Sequence, residues 1–242
     1  MNTTVKLPSK CKIYPDIDLT ANPDQIQIRA FKGRDEKIIA ELSNENFEKK
    51  FMAVLKGVLT GIDPAKLTIG DRLYLVLWEV INSYSKTFSV DIECEHCWNK
   101  FINDVDLTAL DVVELPDDYK EPYELKLPVS GDLVKSRLLR VEDVLKVNEL
   151  NKAGQNVWLY RYALTMVNDK GIWDNVDYLE NLSTKDLMVI RAFHTRFEHG
   201  PKMETKYECP KCGGTGVMPV PFRLEMLLPY GEKLKRYTGD TV

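Results

Sequence analysis

The sequence lacks the features that mark a membrane, secreted or nucleic-acid-coating protein. Its densest apolar run, LYLVLWEVI at residues 73–81, is about half the length needed to cross a bilayer. The opening MNTTVKLPSK has no apolar core, so we expect no signal peptide. The formal net charge of −4 gives no broad attraction to nucleic acid or acidic lipids. The hydrophobic content of 44% is that of an ordinary globular protein.

The sequence also lacks a recognisable catalytic motif. It contains no G-x-S-x-G, no G-x-x-x-x-G-K-[ST] and no G-x-G-x-x-G placed between a strand and a helix. There are three histidines, and His194 and His199 are five residues apart, whereas the H-E-x-x-H zinc motif needs a spacing of four. We expect these two to be surface or helix-end residues, and we predict that the protein is not an enzyme.

Four of the five cysteines form two C-x-x-C pairs. IECEHCWNKF contains Cys94 and Cys97, and ECPKCGGTG contains Cys209 and Cys212. Each pair follows a glutamate and a stretch in which apolar and polar residues alternate, which predicts a β-strand. The alternating positions are Phe88, Val90 and Ile92 before the first pair and Met203, Thr205 and Tyr207 before the second. The sequence therefore predicts two β-hairpins with a C-x-x-C pair at each tip.

Two such turns provide a tetrahedral site for zinc. A C-x-x-C turn lets both sulfurs face one ion while nearby backbone N–H groups point at the thiolates. The pairs are separated by the 111 residues 98–208, so the folded chain has to bring the hairpins together. We predict one structural zinc ion with four thiolate ligands: Cys94, Cys97, Cys209 and Cys212. Such a site implies a reducing compartment, and iron is the alternative metal for the same four thiolates.

Other interpretations of the cysteines fit less well. Disulfides are typical of secreted chains, and no signal peptide is expected here. A thioredoxin-like dithiol opens a helix, but a glycine-rich stretch follows Cys212 and disfavours one. The pattern C-x-x-C-x-G-x-G also occurs in the cysteine-rich region of DnaJ-type chaperones, which uses several copies where this chain has one. His96 is an alternative ligand, but we expect a solvent-facing turn residue. Cys11 is expected to be a buried or half-buried thiol.

Hydrophobic periodicity predicts an α+β fold. We expect helices packed with short antiparallel strands and two zinc-knuckle β-hairpins joined through one four-cysteine site. Helices are predicted at residues 35–42, 45–59, from 68 onward, 141–154, 156–169 and 183–200. Thr68 and Ser183 are the predicted N-caps of two of them, and each has an aspartate three residues later. Apart from the paired hairpins, the sequence shows no tandem repeat.

Three parts are expected along the chain, tied into one compact unit by zinc. Residues 1–85 form an N-terminal extended arm and helical region. Residues 86–140 contain the first hairpin and short strands. Residues 141–242 contain the C-terminal helices and the second hairpin.

The segment LPSKCKIYP is followed by IQIRAFKGRDEKIIAEL and later by SYSKTFSVDIECEHCWNKFINDVDLTAL. This order, LPS-x-x-x-x-Y, I-x-I-R-x-F…DE, a helix, then a strand with a cysteine pair, resembles the T4-type tailed-phage baseplate proteins. That family includes the baseplate hub subunit and the hub-assembly protein. The resemblance covers residues 1 to about 150. The positions carried over are Leu7, Pro8, Ser9, Tyr14, Ile28, Arg29, Phe31, Asp35, Glu36, Cys94 and Cys97.

The resemblance implies a structural or assembly component of a tailed-phage baseplate, in its hub region. Its partners would be other phage baseplate or hub proteins, and it would be located in the virion tail or in the host cytoplasm during assembly. No small-molecule substrate and no membrane segment is expected, and nucleic acid is not an expected partner. LPSKCKIYP, at residues 7–15, is predicted to be an extended arm that docks on a partner.

An alternative function is a zinc-ribbon module that binds nucleic acid or is associated with transcription. Basic residues near the second cysteine pair would provide the contacts; they are Arg191, Arg196, Lys202, Lys206 and Lys211. The overall acidity argues against this function. A cysteine-based redox or chaperone enzyme is a third hypothesis.

Overall fold

The computed structural model describes residues 2–11, 13–14, 26–43, 46–154 and 156–227 of the chain. In this part, helices alternate with short antiparallel strands, which agrees with the predicted α+β class. The helices are α1 (Gly33–Ile39), α2 (Phe47–Val58), α3 (Ile69–Ser83), α4 (Val141–Lys152), α5 (Tyr160–Ala163), α6 (Ile172–Glu180), α7 (Thr184–Arg196) and α8 (Leu224–Leu227). The strands are β1 (Thr3–Val5), β2 (Ile26–Ile28), β3 (Leu59–Thr60), β4 (Thr87–Glu93), β5 (Lys100–Asp106), β6 (Val112–Val113), β7 (Tyr123–Lys126), β8 (Leu133–Ser136), β9 (Gly200–Pro201), β10 (Glu204–Glu208) and β11 (Thr215–Pro219). Strands β1, β2 and β3 form one small sheet, and the others pair as β4–β5, β6–β9, β7–β8 and β10–β11.

Helix α3 supplies a large part of the core and begins where the sequence predicts. The hydroxyl of Thr68 caps it by accepting a hydrogen bond from the N–H of Asp71 at 3.3 Å. Leu75 and Val80 are buried, as expected for a helix that is apolar on most of its surface. Asp71 and Glu79 are also buried on this helix, which the apolar pattern does not predict.

The second half contains three predicted helices with different outcomes. Helices α4 and α7 are confirmed, and the hydroxyl of Ser183 accepts a hydrogen bond from the N–H of Asp186 at 3.2 Å. The helix predicted over residues 156–169 is wrong for most of its length. Only the four residues of α5 are helical there, and Met166 instead forms a β-bridge with Ser136. The sequence pattern does not predict α6.

The N-terminal segment packs into the core of its own chain. Leu7, Ser9 and Tyr14 are all buried. The N–H of Ser9 donates to Asp71 Oδ1 at 2.9 Å, and the hydroxyl of Tyr14 donates to Asp71 Oδ2. The predicted docking arm is therefore wrong for the described part of residues 7–15, because these groups already satisfy a buried carboxylate within the same chain.

The two halves of the chain repeat one structural unit. Among the described residues, the first unit begins at Thr3 and ends at Asp106, and the second begins at Tyr123 and ends at Pro219. Each opens with a short antiparallel hairpin of matching register. The paired residues are Thr3↔Ile28 and Val5↔Ile26 in the first unit and Tyr123↔Ser136 and Leu125↔Val134 in the second. The expectation of no repeat beyond the cysteine pairs is therefore wrong.

An ion pair occupies the same place in both units; it is buried in the first, and its arginine is half-buried in the second. Arg29 forms a bidentate salt bridge with Asp35, at 2.6 and 3.1 Å, and Arg137 forms one with Asp143, at 2.7 and 3.0 Å. In each unit the carboxylate also accepts a hydrogen bond of 2.8 Å from the backbone N–H three residues before it. The aspartate thus caps a helix and neutralises an arginine at the same time.

The aspartates beside the two N-caps repeat as well. Each follows the N-cap of a long helix by three residues and accepts a backbone hydrogen bond from a loop that begins with Leu-Pro. Asp71 accepts from the N–H of Ser9 at 2.9 Å, and Asp186 accepts from the N–H of Val129 at 2.8 Å. Each long helix then leads to a C-x-x-C hairpin, so the two cysteine pairs hold equivalent positions in the two units.

Candidate metal centre

Both C-x-x-C pairs lie in the turns of antiparallel hairpins, as predicted. The β4–β5 ladder runs from Thr87↔Asp106 to Glu93↔Lys100, and the β10–β11 ladder runs from Glu204↔Pro219 to Glu208↔Thr215. Each ladder ends at the glutamate that precedes the first cysteine of the pair. The four cysteines are therefore held by the ends of regular strands.

The two turns share the same backbone hydrogen bonds. The N–H of the first cysteine donates to the carbonyl oxygen five residues later, at 2.9 Å for Cys94 and 2.8 Å for Cys209. The carbonyl of Cys94 accepts from the N–H of Trp98 at 2.8 Å, and that of Cys209 accepts from Gly213 at 2.9 Å. Trp98 and Gly213 have φ values of 57° and 68°. This left-handed conformation is easy for glycine and unusual for tryptophan.

The four sulfur atoms meet in one cluster. All four Sγ atoms lie within 4.8 Å of one another. The distance from Cys94 Sγ to Cys212 Sγ is 3.8 Å, and that from Cys97 Sγ to Cys209 Sγ is 3.7 Å. Zn–S bonds of about 2.3 Å at tetrahedral angles place sulfurs about 3.8 Å apart. The donor atoms and their spacing therefore fit a tetrahedral metal ion.

The surroundings of the sulfurs are partly dry and supply hydrogen-bond donors. Cys94 and Cys209 are buried, whereas Cys212 is exposed. The backbone N–H of His96 donates to Cys94 Sγ, and that of Gly214 donates to Cys212 Sγ, both at 3.4 Å. Such N–H···S contacts stabilise negative charge on a ligating sulfur.

The pKa values of the two thiols in the second pair are shifted in opposite directions. Burial raises the pKa of Cys209, but the backbone N–H groups of Cys212 and Lys211 outweigh it and lower the pKa to about 6. The N–H of Gly214 lowers the pKa of Cys212, but the neighbouring sulfurs of Cys97 and Cys209 raise it overall. Such thiols release their protons when a cation binds, because a ligating sulfur has to be a thiolate.

Side chains from each hairpin also contact the other hairpin. His96 Nε2 lies 3.2 Å from the carbonyl oxygen of Thr215. The rings of Phe101 and Tyr207 pack edge to face, with centroids 6.0 Å apart, and the N–H of Glu95 donates to the Tyr207 hydroxyl at 3.5 Å. His96 is exposed, as expected, and it lies outside the cluster of candidate ligands found among the described residues.

Of the other two histidines, His194 lies in the last turn of α7, as predicted, whereas His199 lies three residues beyond the end of the helix and is not on the surface. His199 is buried, and its Nε2 lies 2.8 Å from Thr68 Oγ1 and 3.8 Å from Asp71 Oδ1. His194 is half-buried, and burial together with the charge of Arg161 lowers its pKa to about 4, so it is neutral at pH 7. The surface assignment is wrong for His199 because the sequence does not reveal that α3 covers it.

Comparison with protein families identifies the family of the chain. The family model of the T4 bacteriophage base plate protein matches residues 1–227. The chain belongs to this family. The match confirms the resemblance found in the N-terminal sequence and extends it through the second C-x-x-C pair.

Membership makes this baseplate protein a structural component of a bacteriophage tail, with other phage structural proteins as its partners. No curated protein and no solved structure gives a significant match to it. Within the described ranges, none of its helices combines the length and apolar character needed to cross a membrane.

Proposed function

We propose that this baseplate protein is a structural or assembly component of the hub region, and that it acts by protein–protein contact around one structural zinc ion. The observation that carries the metal proposal is the convergence of two C-x-x-C hairpins, one from each repeated unit, at tetrahedral sulfur spacing. The hub placement rests on the N-terminal sequence resemblance. The proposed ligands are Cys94, Cys97, Cys209 and Cys212.

The zinc ion would act as a clamp between the two units. It would close a loop of 111 residues, which contains the end of the first unit and most of the second. By analogy with a covalent cross-link, closing a loop of this length removes conformational entropy from the unfolded chain and raises its free energy by about 4–5 kcal/mol. Four thiolates complete a tetrahedral site and leave no position for a reacting water, which supports a structural and not a catalytic metal.

The residues that carry the family resemblance support this structural role. Ser9 and Tyr14 fix the N-terminal segment to the start of α3, and Leu7 is buried in the core. Arg29 and Asp35 form the buried ion pair of the first unit. These positions stabilise the scaffold that holds the first hairpin. The division into residues 1–85, 86–140 and 141–242 stays a prediction, which limited proteolysis with and without bound metal would test.

Metal content of the purified full chain tests the clamp. We expect one zinc per chain by elemental analysis, and loss of that zinc together with a lower melting temperature in Cys94→Ser and Cys209→Ser. Cys11→Ser is the matched control, because Cys11 is a buried cysteine outside the sulfur cluster and its replacement should leave the metal content at one. Bound iron in place of zinc would overturn the metal assignment, and a metal-free protein with four titratable thiols would overturn the clamp itself.

Complementation tests the proposed place in the baseplate. A phage that lacks this protein should accumulate tails without complete baseplates, and supplying the protein in trans should restore them. Mass spectrometry of purified virions then separates a virion component, which is present, from an assembly factor, which is absent. Normal baseplate assembly in the phage that lacks the protein would contradict the proposal.

A further inference from the structure

A cleft of about 1050 Å³ opens beside the second unit, between the start of α3, the helices α5 and α7, and strand β9. It lies outside the cysteine cluster, and none of the four cysteines lines it. Its charged lining residues are Arg161, Arg191, Lys202, Glu198 and Glu204. Basic side chains therefore outnumber acidic ones on its walls.

The structural repeat indicates that the fold does not require this cleft to be polar. The salt-bridged arginine of each unit donates to a carbonyl oxygen, of Gly57 in the first unit at 2.7 Å and of Leu164 in the second at 3.0 Å, which aligns α2 with α5. The two N-cap aspartates align α3 with α7. At the aligned positions Val54, Leu55 and Val76 are buried in the first unit, whereas Arg161, Tyr162 and Arg191 line the cleft in the second.

The two arginines are held in place but not neutralised. The guanidinium of Arg161 lies over the ring of Tyr162, 5.7 Å from its centroid, and that of Arg191 lies over Trp158 at 5.6 Å. Within the described residues neither arginine forms a salt bridge, in contrast to the paired Arg29 and Arg137. A guanidinium fixed on an aromatic ring with its N–H groups available suits bidentate binding of a carboxylate.

We propose that this cleft docks an acidic segment of a partner baseplate protein, with carboxylates bound by Arg161 and Arg191. The charge of the cleft complements such a segment, and the exposed ring of Trp158 provides apolar contact beside it. This site is separate from the metal centre, so it can fail or hold without affecting the proposed clamp.

Binding of a defined acidic peptide tests the proposal. Fluorescence anisotropy would compare a labelled hexaglutamate peptide, a hexaglutamine peptide and a single-stranded hexanucleotide, each titrated with the full chain purified with zinc at low salt. We expect the hexaglutamate peptide to bind and the hexaglutamine peptide not to bind. Arg161→Glu and Arg191→Glu should each weaken binding by about tenfold or more, which corresponds to loss of one charge-assisted contact.

Arg196→Glu is the matched control. Arg196 is an exposed arginine in the last turn of α7 that stacks on Phe197 and does not line the cleft, so its reversal should change binding less than about twofold. Arg191→Gln provides a milder variant if a reversed charge unfolds the protein. Absence of hexaglutamate binding, equal binding of the neutral peptide, equal loss in Arg196→Glu, or tighter binding of the hexanucleotide through the same arginines would each overturn the proposal.

Discussion

Replacing Asp35 with asparagine should lower the free energy of unfolding by about 3–5 kcal/mol, the range measured when one partner of a buried ion pair is removed. The Asp35 carboxylate accepts hydrogen bonds from Arg29 Nη1 at 2.6 Å, from Arg29 Nη2 at 3.1 Å and from the N–H of Lys32 at 2.8 Å. Arg29 is 9% exposed and Asp35 is 4% exposed. Loss of the carboxylate charge therefore leaves a guanidinium buried without a counter-ion.

The pH dependence of this effect has a definite sign. Burial raises the pKa of Asp35, but Arg29 and the N–H of Lys32 outweigh it and hold the pKa below its ordinary value of 3.8. A carboxylate with a lowered pKa stabilises the folded state above its unfolded pKa and loses that contribution as the pH falls. The difference between the wild type and Asp35→Asn should therefore be full at pH 7 and shrink below about pH 4.

Urea unfolding at pH 7, followed by circular dichroism, measures the effect. Glu41→Gln is the control, since Glu41 pairs with Lys50 at 2.6 Å but is exposed to solvent, and its loss should cost far less than that of Asp35. Asp143→Asn should cost less than Asp35→Asn, because the side chain of Arg137 is 25% exposed whereas that of Arg29 is 10% exposed. The reasoning is refuted if Asp35→Asn costs no more than Glu41→Gln.

Two further substitutions probe the contacts of α3. Gly70→Ala should lower the free energy of unfolding by about 3 kcal/mol or more, because a Cβ there would lie 2.0 Å from the carbonyl oxygen of His199. Gly57→Ala is the control, because the nearest atom to a Cβ there would be 3.6 Å away, and this change should be neutral or slightly stabilising. Thermal unfolding of both variants measures the difference, and equal effects would contradict the packing of Gly70. Burial raises the pKa of Glu79 from 4.5 to about 8, so ionising it destabilises the folded state and its contribution to stability falls as the pH rises from 4.5 to 8. Glu79→Gln should therefore be more stable than the wild type at pH 8, by on the order of 2–4 kcal/mol, and this difference should become smaller towards pH 5.5. Urea unfolding of both proteins at the two pH values measures the difference. A difference that does not change with pH would contradict the prediction.

Local signals along the chain predicted much of the secondary structure. Alternating residues before each cysteine pair correctly indicated β4 and β10, and Thr68 and Ser183 correctly marked the starts of α3 and α7. These predictions succeeded because hairpin alternation and N-capping depend on residues within a few positions of one another. The helix over residues 156–169 failed because Met166 pairs with Ser136, and that tertiary contact overrides a helical periodicity.

The repeat shows why similar units can be hidden in sequence. Their apolar cores need only volume and burial, so the apolar residues differ freely between the two units. What repeats is a small set of polar contacts, such as the salt bridges of Arg29 with Asp35 and Arg137 with Asp143. A search for R-x-x-x-x-x-D followed by L-[ST]-x-x-D and C-x-x-C would have revealed both copies from the sequence.

By itself the sequence determined the four candidate metal ligands and the family, because a C-x-x-C spacing is a local property and the N-terminal motif lies within a short stretch. Only the tertiary structure decided that the two hairpins meet, with sulfurs 3.7 and 3.8 Å apart across the gap between the pairs. It also decided that the described part of LPSKCKIYP packs inside the chain and that Arg161 and Arg191 share a cleft. Those outcomes depend on which surfaces the folded units bury against each other, and residues far apart in the chain supply these surfaces.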